Sequence, residues 1–358
     1  MDNTPQQGAP AYSVIVPVFN RPDEVDELLG SLCRQQGTRF EVVVVEDGSQ
    51  VSCEAVCRRY ADRLDLHYFP KENGGPGPAR NYGAGRAAGR YLIILDSDVV
   101  LPDGYFAAID AELTARPCEA FGGPDRAHDS FTPVQKAINY AMTSFFTTGG
   151  IRGGKQGGAS LDRFFPRSFN MGVRRDVYES LGGFAAMRFG EDVDFSYRIV
   201  EGGHSCRLFP EAWVWHKRRA DLRKFFRQVH NSGIARINLS KRHPGTLKAV
   251  HVLPALFTVG VAACLLSILT GVAACLLSGP ACPWTGLAIG GLTPLILFSA
   301  VILTDSASRS KSLKVGLLSV AAAFVQLTGY GSGFLRAWWR RCVRGKGEFE
   351  AFKANFYK

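Results

Sequence analysis

The chain has 358 residues, of which 46% are hydrophobic, and a formal net charge of +10 at pH 7. These values exclude a disordered chain and suit about two domains with a sizeable core. The charge argues against a nucleic-acid-binding face, because Lys and Arg concentrate in two stretches, 217–248 and 336–358, that adjoin apolar sequence. Such a distribution is typical of a protein at a membrane surface.

The first hundred residues alternate between strand and helix patterns. The strands are predicted at 12–19, 41–45, 64–69 and 91–95, and the helices at 22–36, 53–60 and 78–90. This alternation predicts βαβ units, a parallel sheet and helices on both of its faces. Each strand is followed by polar or Gly-rich sequence at its carboxyl end, which is where open α/β sheets bind nucleotides.

Two carboxylates end the fourth strand. Asp96 and Asp98 flank Ser97, and residues at this spacing in an extended chain project to the same side. The pair can therefore converge on one hard divalent cation that also holds a diphosphate. The alternative is a turn that uses Asp for its backbone geometry.

Three other segments have side chains suited to a nucleotide. Phe19 and Asn20, at the end of the first strand, can stack on and hydrogen-bond a base. Glu46-Asp47-Gly48-Ser49 ends the second strand with acids able to accept from a base or ribose. A Gly-rich loop then leads into a helix whose first turn contains Arg80, and both a helix N-terminus and a guanidinium favour phosphate oxygens.

The sequence from Phe106 to about Arg219 is mixed, with short strands such as 212–215 and a Gly-rich stretch at 149–158. That stretch is either a cationic loop that closes over a substrate or a plain surface loop. Residues 222–240 then predict a basic amphipathic helix lying on the membrane surface.

No Asp, Glu, Lys or Arg occurs between Ala249 and Thr304. The length predicts two membrane spans, at about 250–278 and 284–304. A third, weaker segment at 313–335 contains Gln326 and a Gly-Tyr-Gly-Ser-Gly break. Three full spans would put the basic tail opposite the N-terminal domain, so we expect the third segment to re-enter or lie in the interface.

Targeting and cysteine patterns add two expectations. The polar N-terminal residues predict no signal peptide. The nine cysteines are scattered and show neither a disulfide framework nor a zinc spacing, so we expect a reducing compartment, with Cys53 and Cys57 as packing residues.

In this order and spacing, the motifs resemble those of the family 2 glycosyltransferases, which are inverting enzymes that use nucleotide-diphospho-sugars. The resemblance covers roughly residues 12–219. It implies the GT-A fold, an α/β fold with a Rossmann-like, mostly parallel sheet, which C-terminal transmembrane helices would follow here.

The resemblance also implies roles for individual residues in binding the donor. Pro17, Phe19, Asn20 and Asp47 would form the base and ribose pocket beside Glu46, and Arg80, Asp96 and Ser97 would complete the nucleotide site. The Asp-x-Asp motif would place Asp96 and Asp98 on Mg²⁺ or Mn²⁺. The family often has a third metal contact from a His after a late strand, which nominates His216; the alternative is a residue at the basic membrane edge.

On the acceptor side, the resemblance nominates Asp192 as the catalytic base with Glu191 beside it. Asn170, Met171 and Gly172 would line the donor sugar or acceptor. Gln228 would correspond to the Gln of the Gln-x-x-Arg-Trp motif of processive members. Because this chain lacks the Arg-Trp pair and has few spans, we do not expect processive synthesis with export.

These observations predict a glycosyltransferase that moves a sugar, with uridine as the expected donor base, to a membrane-associated glycan linked to polyprenyl diphosphate. Transfer to polyprenyl phosphate and a non-catalytic membrane scaffold are the alternatives. The predicted organisation is a cytoplasmic catalytic domain (1–220), an interfacial helix (221–248), a transmembrane region (249–335) and a basic cytoplasmic tail (336–358). The expected location is the bacterial inner membrane, with lipids and no nucleic acid as partners.

Overall fold

The computed structural model describes residues 10–128, 130–149, 164–278 and 284–348. The strands are β1 (Tyr12–Val18), β2 (Phe40–Asp47), β3 (Leu66–Lys71), β4 (Tyr91–Leu95), β5 (Val99–Val100), β6 (Ala120–Gly122), β7 (Asp125–Arg126), β8 (Asn170–Arg174), β9 (Cys206–Leu208) and β10 (Val214–His216). The helices are α1 (Pro22–Leu32), α2 (Glu54–Arg58), α3 (Pro76–Ala84), α4 (Tyr105–Ala115), α5 (Pro133–Thr143), α6 (Phe145–Thr148), α7 (Arg175–Ser180), α8 (Glu191–Glu201), α9 (Leu222–Arg242), α10 (Ala249–Ser278), α11 (Thr285–Ser310) and α12 (Leu313–Trp338).

The chain divides into two compact units. Of the described residues, the first unit holds 10–128 and 164–217, and the second holds 130–149, 218–278 and 284–348. The second unit therefore includes α5 and α6, which the predicted boundary at residue 220 assigned to the catalytic domain. The Gly-rich stretch predicted at 149–158 lies outside the described residues apart from Gly149, and so do residues 1–9 and the end of the tail from 349.

A seven-stranded sheet in the order β3-β2-β1-β4-β8-β6-β9 forms the centre of the first unit. β3, β2, β1 and β4 are parallel, and β8 runs antiparallel between β4 and β6. β1, β2 and β4 are almost fully buried, as expected for a sheet covered by helices on both faces, whereas β3 at the edge of the sheet is partly exposed. A second sheet, β5-β10-β7, extends from the end of β4. The predicted α/β fold is confirmed.

The four strands predicted from the first hundred residues are all present, with β4 at its predicted bounds. All three helices predicted there are shorter than expected: α1 ends at Leu32, α2 spans Glu54–Arg58 and α3 ends at Ala84. After α1 and α3 the chain forms turns, since Gly37 and the Gly85–Gly89 stretch favour conformations other than a continued helix.

Three helices of the second unit, α10, α11 and the helix from Leu313 to Val343, are long and apolar enough to cross a membrane. The last comprises α12 and a π-helical turn, Trp339–Val343. The predicted break at 329–333 is wrong, because α12 continues through it. Cβ atoms at Gly329 and Gly333 would lie 2.6 Å from Val229 and 1.9 Å from the carbonyl oxygen of His230, so these glycines allow α9 to pack closely.

The apolar side of α9 is buried against α12 and α5, in a cluster with Phe225, Val229 and Ala322. The apolar side of α9 is thus covered by protein, and the position of α9 on a membrane surface stays a prediction. The basic side chains of Arg223, Lys224 and Arg227 are exposed, which agrees with an amphipathic helix.

The cysteines follow the prediction in the first unit, where those described are free and Cys53 and Cys57 are buried in the core. Cys275, in the last turn of α10, differs because it is disulfide-bonded. The expectation of an entirely reducing environment is therefore wrong for this end of α10.

The close contact between α9 and α12 can be tested at Gly233, where a Cβ would lie 2.1 Å from the carbonyl oxygen of Tyr330. We expect Gly233→Ala to lower the free energy of unfolding by about 1–3 kcal/mol, because the helices must separate to admit the methyl group. Thermal unfolding in detergent measures the effect. Gly260→Ala is the matched control, since nothing lies within 4 Å of its added Cβ. Equal melting temperatures for the two variants would contradict the packing described.

Candidate active site

The candidate site lies at the carboxyl ends of the parallel strands. Because β8 pairs antiparallel with β4, with Asn170 opposite Leu95, the segment that leads into β8 lies beside the residues that leave β4. Pairing of β5 with β10 places His216 opposite Val99, next to the acidic turn, and the N–H of Lys217 donates to the carbonyl of Asp98. Three separate parts of the sequence therefore meet at this edge.

Asp96, Asp98 and His216 form a cluster in which one ligand atom from each lies within 4.8 Å of the others. Nε2 of His216 is 3.2 Å from Oδ1 of Asp98, and the imidazole stacks on the ring of Phe169, 5.0 Å between centroids. Asp98 is buried, whereas the side chain of Asp96 is about one-third exposed. The cluster is thus open on one side.

This donor set fits a divalent cation. Two carboxylates and an imidazole suit Mn²⁺, and Mg²⁺ accepts the carboxylates. Among the described residues, the Nδ1 atom of His216 is buried without a hydrogen-bond partner, and a carboxylate oxygen of Asp125 is 3.9 Å away from it. The guanidinium of Arg21 forms an ion pair with Asp98 and so offsets part of the negative charge that a cation would otherwise balance.

Arg80 connects this cluster to a second pair of acids. Its guanidinium donates at 2.9 Å to each of three oxygens, on Asp96, Glu191 and Ser168. The side chain is 4% exposed and lies over the ring of Phe184. Burial disfavours the charged guanidinium, but Asp96 and Glu191 outweigh it and raise the pKa of Arg80. Arg80 therefore fixes the position of two carboxylates, and its predicted place near a diphosphate stays a prediction.

Glu191 and Asp192 occupy the first turn of α8, where negative side chains are favoured by the helix dipole. Burial raises the pKa of Glu191 despite its bond to Arg80. Burial would also raise the pKa of Asp192, but Arg167, whose Nε lies 2.6 Å from Oδ2 of Asp192, holds that pKa below its usual value. The two neighbouring acids thus have pKa values displaced in opposite directions, as in many acid–base sites.

Asp47 organises the Gly-rich loop. Its carboxylate accepts from the N–H groups of Gly74 and Gly75 and from Nζ of Lys71 at 2.6–2.9 Å. Glu46 serves a different segment: its carboxylate accepts from the hydroxyls of Ser52 and Tyr68 and from the N–H of Cys53. Glu46 is buried and holds this segment in place, and its contact with a nucleotide stays a prediction.

The other residues predicted to bind the nucleotide lie at the end of β1 or within the acidic turn. Pro17 and Phe19 are half-buried, and Ser97 is buried between the two acids. Asn20 has a left-handed backbone (φ 55°), and its side-chain oxygen accepts from the N–H groups of Gln50 and Val51. Asn20 therefore holds the loop after β2 in place beside the strand end.

The β8 residues predicted to line a sugar are packing residues. The amide of Asn170 accepts from the hydroxyl of Tyr105 and donates to the carbonyl of Ala212. Met171 is completely buried, and a Cβ at Gly172 would lie 2.1 Å from the ring of Phe121. These predictions fail because the strand is covered on both faces. Gln228 lies on α9 in the second unit, and its role stays a prediction.

Sequence reasoning missed two cations, Arg21 and Arg167, each of which forms an ion pair with an acid of the site. Arg21 directly follows the first-strand motif, so its position was a usable signal. Arg167 could not be assigned in that way, because its contact with Asp192 depends on the antiparallel placement of β8.

Residues 13–182 match the family model described as glycosyl transferase family 2. Among curated relatives, the succinoglycan biosynthesis protein ExoO of Rhizobium meliloti is 26% identical over 233 residues, which cover 62% of this chain and 65% of the relative. The poly(ribitol-phosphate) beta-N-acetylglucosaminyltransferase TarS of Staphylococcus aureus is 40% identical over 91 residues, which cover 24% of this chain and 16% of the relative. The chain thus spans less than two thirds of the length of these relatives.

A solved structure of the mannosyltransferase PcManGT from Pyrobaculum calidifontis, in complex with GDP-Man and Mn²⁺, matches with a TM-score of 0.59 and 19% identity. The match covers 88% of this chain and 87% of the other, and it supports the GT-A fold. Together with the family model, it confirms the resemblance drawn from the motifs.

The acidic cluster makes a direct prediction about metal binding. We expect Asp98→Asn and His216→Ala each to weaken the affinity for Mn²⁺ by about tenfold or more, since each removes one of three ligands. Electron paramagnetic resonance of free Mn²⁺ measures the dissociation constant. Asp103→Asn is the control, because this exposed acid pairs with Arg34 outside the cluster. Unchanged affinity in both site variants would refute the assignment.

Proposed function

We propose that this chain, a member of glycosyltransferase family 2, transfers a sugar with inversion from a nucleotide-diphospho-sugar to a hydroxyl group of a membrane-associated glycan. The proposal rests on one observation: Arg80 donates hydrogen bonds to both Asp96 and Glu191. The cluster of Asp96, Asp98 and His216 and the acidic pair of α8 therefore belong to one site. A metal-dependent inverting transfer needs both parts. The names of the relatives, for succinoglycan biosynthesis and poly(ribitol-phosphate) glycosylation, support polysaccharide biosynthesis as the setting.

In the proposed reaction, the acceptor oxygen attacks the anomeric carbon on the face opposite to the nucleoside diphosphate. A bond forms between these two atoms while the bond from the anomeric carbon to the diphosphate oxygen breaks. Asp192 receives the proton of the acceptor hydroxyl as general base. Its carboxylate is oriented by the N–H of Val193 at 2.9 Å and by Arg167. Glu191, bound to Arg80, holds the first turn of α8 in place.

On the donor side, Asp96, Asp98 and His216 would hold Mg²⁺ or Mn²⁺. When bound, this ion would supply positive charge to the departing diphosphate. Asp47 shapes the loop before α3. Pro17 and Phe19 would form part of the base pocket that the family motif implies. Uridine is the base we propose. The GDP-Man in the structural neighbour makes guanosine the first alternative to test.

We further propose that the acceptor is linked to a polyprenyl diphosphate at the cytoplasmic leaflet of a bacterial inner membrane. The basic side chains of α9 would attract an anionic lipid surface. Transfer directly to polyprenyl phosphate would use the same chemistry, and analysis of lipid extracts distinguishes a monosaccharide phospholipid from longer products. A non-catalytic scaffold is disfavoured, because such a protein has no need of four acids held by three arginines.

Substitution of the two acids at the centre of this reaction tests the proposal. We expect Asp98→Asn and Asp192→Asn to lower kcat by at least about a hundredfold, because one loses a cation ligand and the other loses the general base. Release of nucleoside diphosphate from a panel of UDP- and GDP-sugars, with membrane acceptors and Mn²⁺, measures turnover. The exposed Asp176, which pairs with Arg174, provides the matched Asn control. Full activity in either site variant would end the proposal.

The pH dependence of kcat/KM should reflect the pair of Asp192 and Arg167. Because Arg167 lowers the pKa of Asp192, the base stays deprotonated to lower pH than an isolated Asp in the same buried place. Arg167→Gln removes this charge and leaves burial to raise the pKa of Asp192. We therefore expect the acid limb of the kcat/KM profile to move to higher pH, so that activity is lost earlier as the pH falls.

The profile is measured with the same assay between about pH 4 and 8, the range in which a displaced carboxyl group titrates. Arg58→Gln removes an exposed arginine of α2 and should leave the profile unchanged. An acid limb that stays in place in Arg167→Gln would exclude Asp192 as the group that controls it.

A further inference from the structure

The three apolar helices of the second unit differ in how much of their surface is exposed. α10 and α11 expose large apolar side chains along most of their length, including Leu265, Leu277 and Ile289. α12 exposes Leu313 and Leu317 at its start. From Leu318 to its end at Trp338, only Ala321, Arg336 and Trp338 are exposed. Most of the residues of α12 are therefore buried or half-buried, in contact with α5, α9, α10 and α11.

The contact between α12 and α9 is close and extended. Gly329 approaches Val229, Gly333 approaches the carbonyl of His230, and Nη1 of Arg341, just beyond α12, lies 3.3 Å from Oδ1 of Asn238. The order of these contacts shows that the two helices run in parallel. They must consequently occupy the same depth relative to any bilayer.

The charge of α9 sets that depth. Its 21 residues contain six basic side chains and no acidic one. The basic residues are Arg223, Lys224, Arg227, Arg236, Lys241 and Arg242. Charged side chains are costly in the hydrocarbon core, and a helix with basic residues at both ends and in between cannot be placed there. The part of α12 in contact with α9 is therefore also outside the core.

α10 and α11 can cross the bilayer without α12. The ring of Phe324, in α12, packs on Phe257 and Phe298, which face each other near the start of α10 and in the second half of α11. Beyond this level, α10 continues from Phe257 to Ser278, a length of about 33 Å at 1.5 Å per residue, which matches a hydrocarbon core of about 30 Å. Cys275 is disulfide-bonded near the far end, as expected on an oxidising side.

We propose that only α10 and α11 cross the membrane. α12 does not cross it and packs between the hairpin formed by α10 and α11 and the pair formed by α5 and α9. Both ends of α12 are then on the same side of the membrane. The partner of the exposed surfaces of α10 and α11 is the lipid bilayer. This inference does not depend on the proposed activity.

The experiment uses three cysteine reporters in the full chain, with the other reactive cysteines replaced by Ser. Lys314→Cys reports the start of α12, and the exposed native Cys342 reports the turn beyond its end. Gly286→Cys, at the start of α11, where no described residue lies within 4 Å of an added Cβ, reports the far end of the hairpin. A membrane-impermeant maleimide is applied to sealed right-side-out and inverted bacterial membrane vesicles.

We expect Lys314→Cys and Cys342 to be labelled in inverted vesicles, with loss of labelling in right-side-out ones, and Gly286→Cys to show the reverse. If Lys314→Cys and Cys342 are labelled in opposite preparations, α12 spans the membrane and the inference is overturned. If all three are labelled from one side, α10 and α11 do not cross, which overturns it as well. Residual transferase activity in the vesicles has no bearing on either outcome.

Discussion

The position of one buried guanidinium determines the arrangement of the candidate site. A charged group removed from water needs compensation on several sides, and Arg80 obtains it from two carboxylates, one hydroxyl and the face of Phe184. The planar fork of arginine allows Asp96 and Glu191 to be bound at the same time, which a lysine ammonium on a flexible stem does less well. The strand end with the candidate cation ligands Asp96 and Asp98 and the helix with the proposed general base, Asp192, are therefore fixed relative to each other.

The parallel half of the first unit could be predicted because its signals are local. Each buried strand is a short apolar run, and an acid lies at its carboxyl end or directly after it. Asp47 is the last residue of β2, and Asp96 directly follows β4. What could not be predicted is the direction of β8. A local pattern does not say whether a strand is parallel or antiparallel, so Asn170, Met171 and Gly172 were assigned to a sugar when they fill the core, and Arg167 was overlooked.

In the second unit, the surroundings of α12 could not be predicted from the sequence either. Composition identifies α12 as long and apolar, and it suggests a break at the three glycines around Tyr330. It does not distinguish a helix that faces lipid from one that faces protein. The glycines are places where α9 and α10 approach: a Cβ at Gly331 would lie 2.1 Å from Oγ1 of Thr258, on α10. Helix packing thus uses residues that lower both helix propensity and hydropathy.

In both units, a charged side chain can be buried only if it is paired. The basic residues of the two units therefore have different surroundings. In the first unit, Arg21, Arg80 and Arg167 are each paired with a carboxylate, so they can lie within the site, and Arg167 lowers the pKa of Asp192. In the second unit, α9 has no acid of its own among its 21 residues, so most of its basic groups must remain in water or at lipid headgroups. Paired charges therefore build the candidate active site, and the charges of α9 set how far the second unit can enter the membrane.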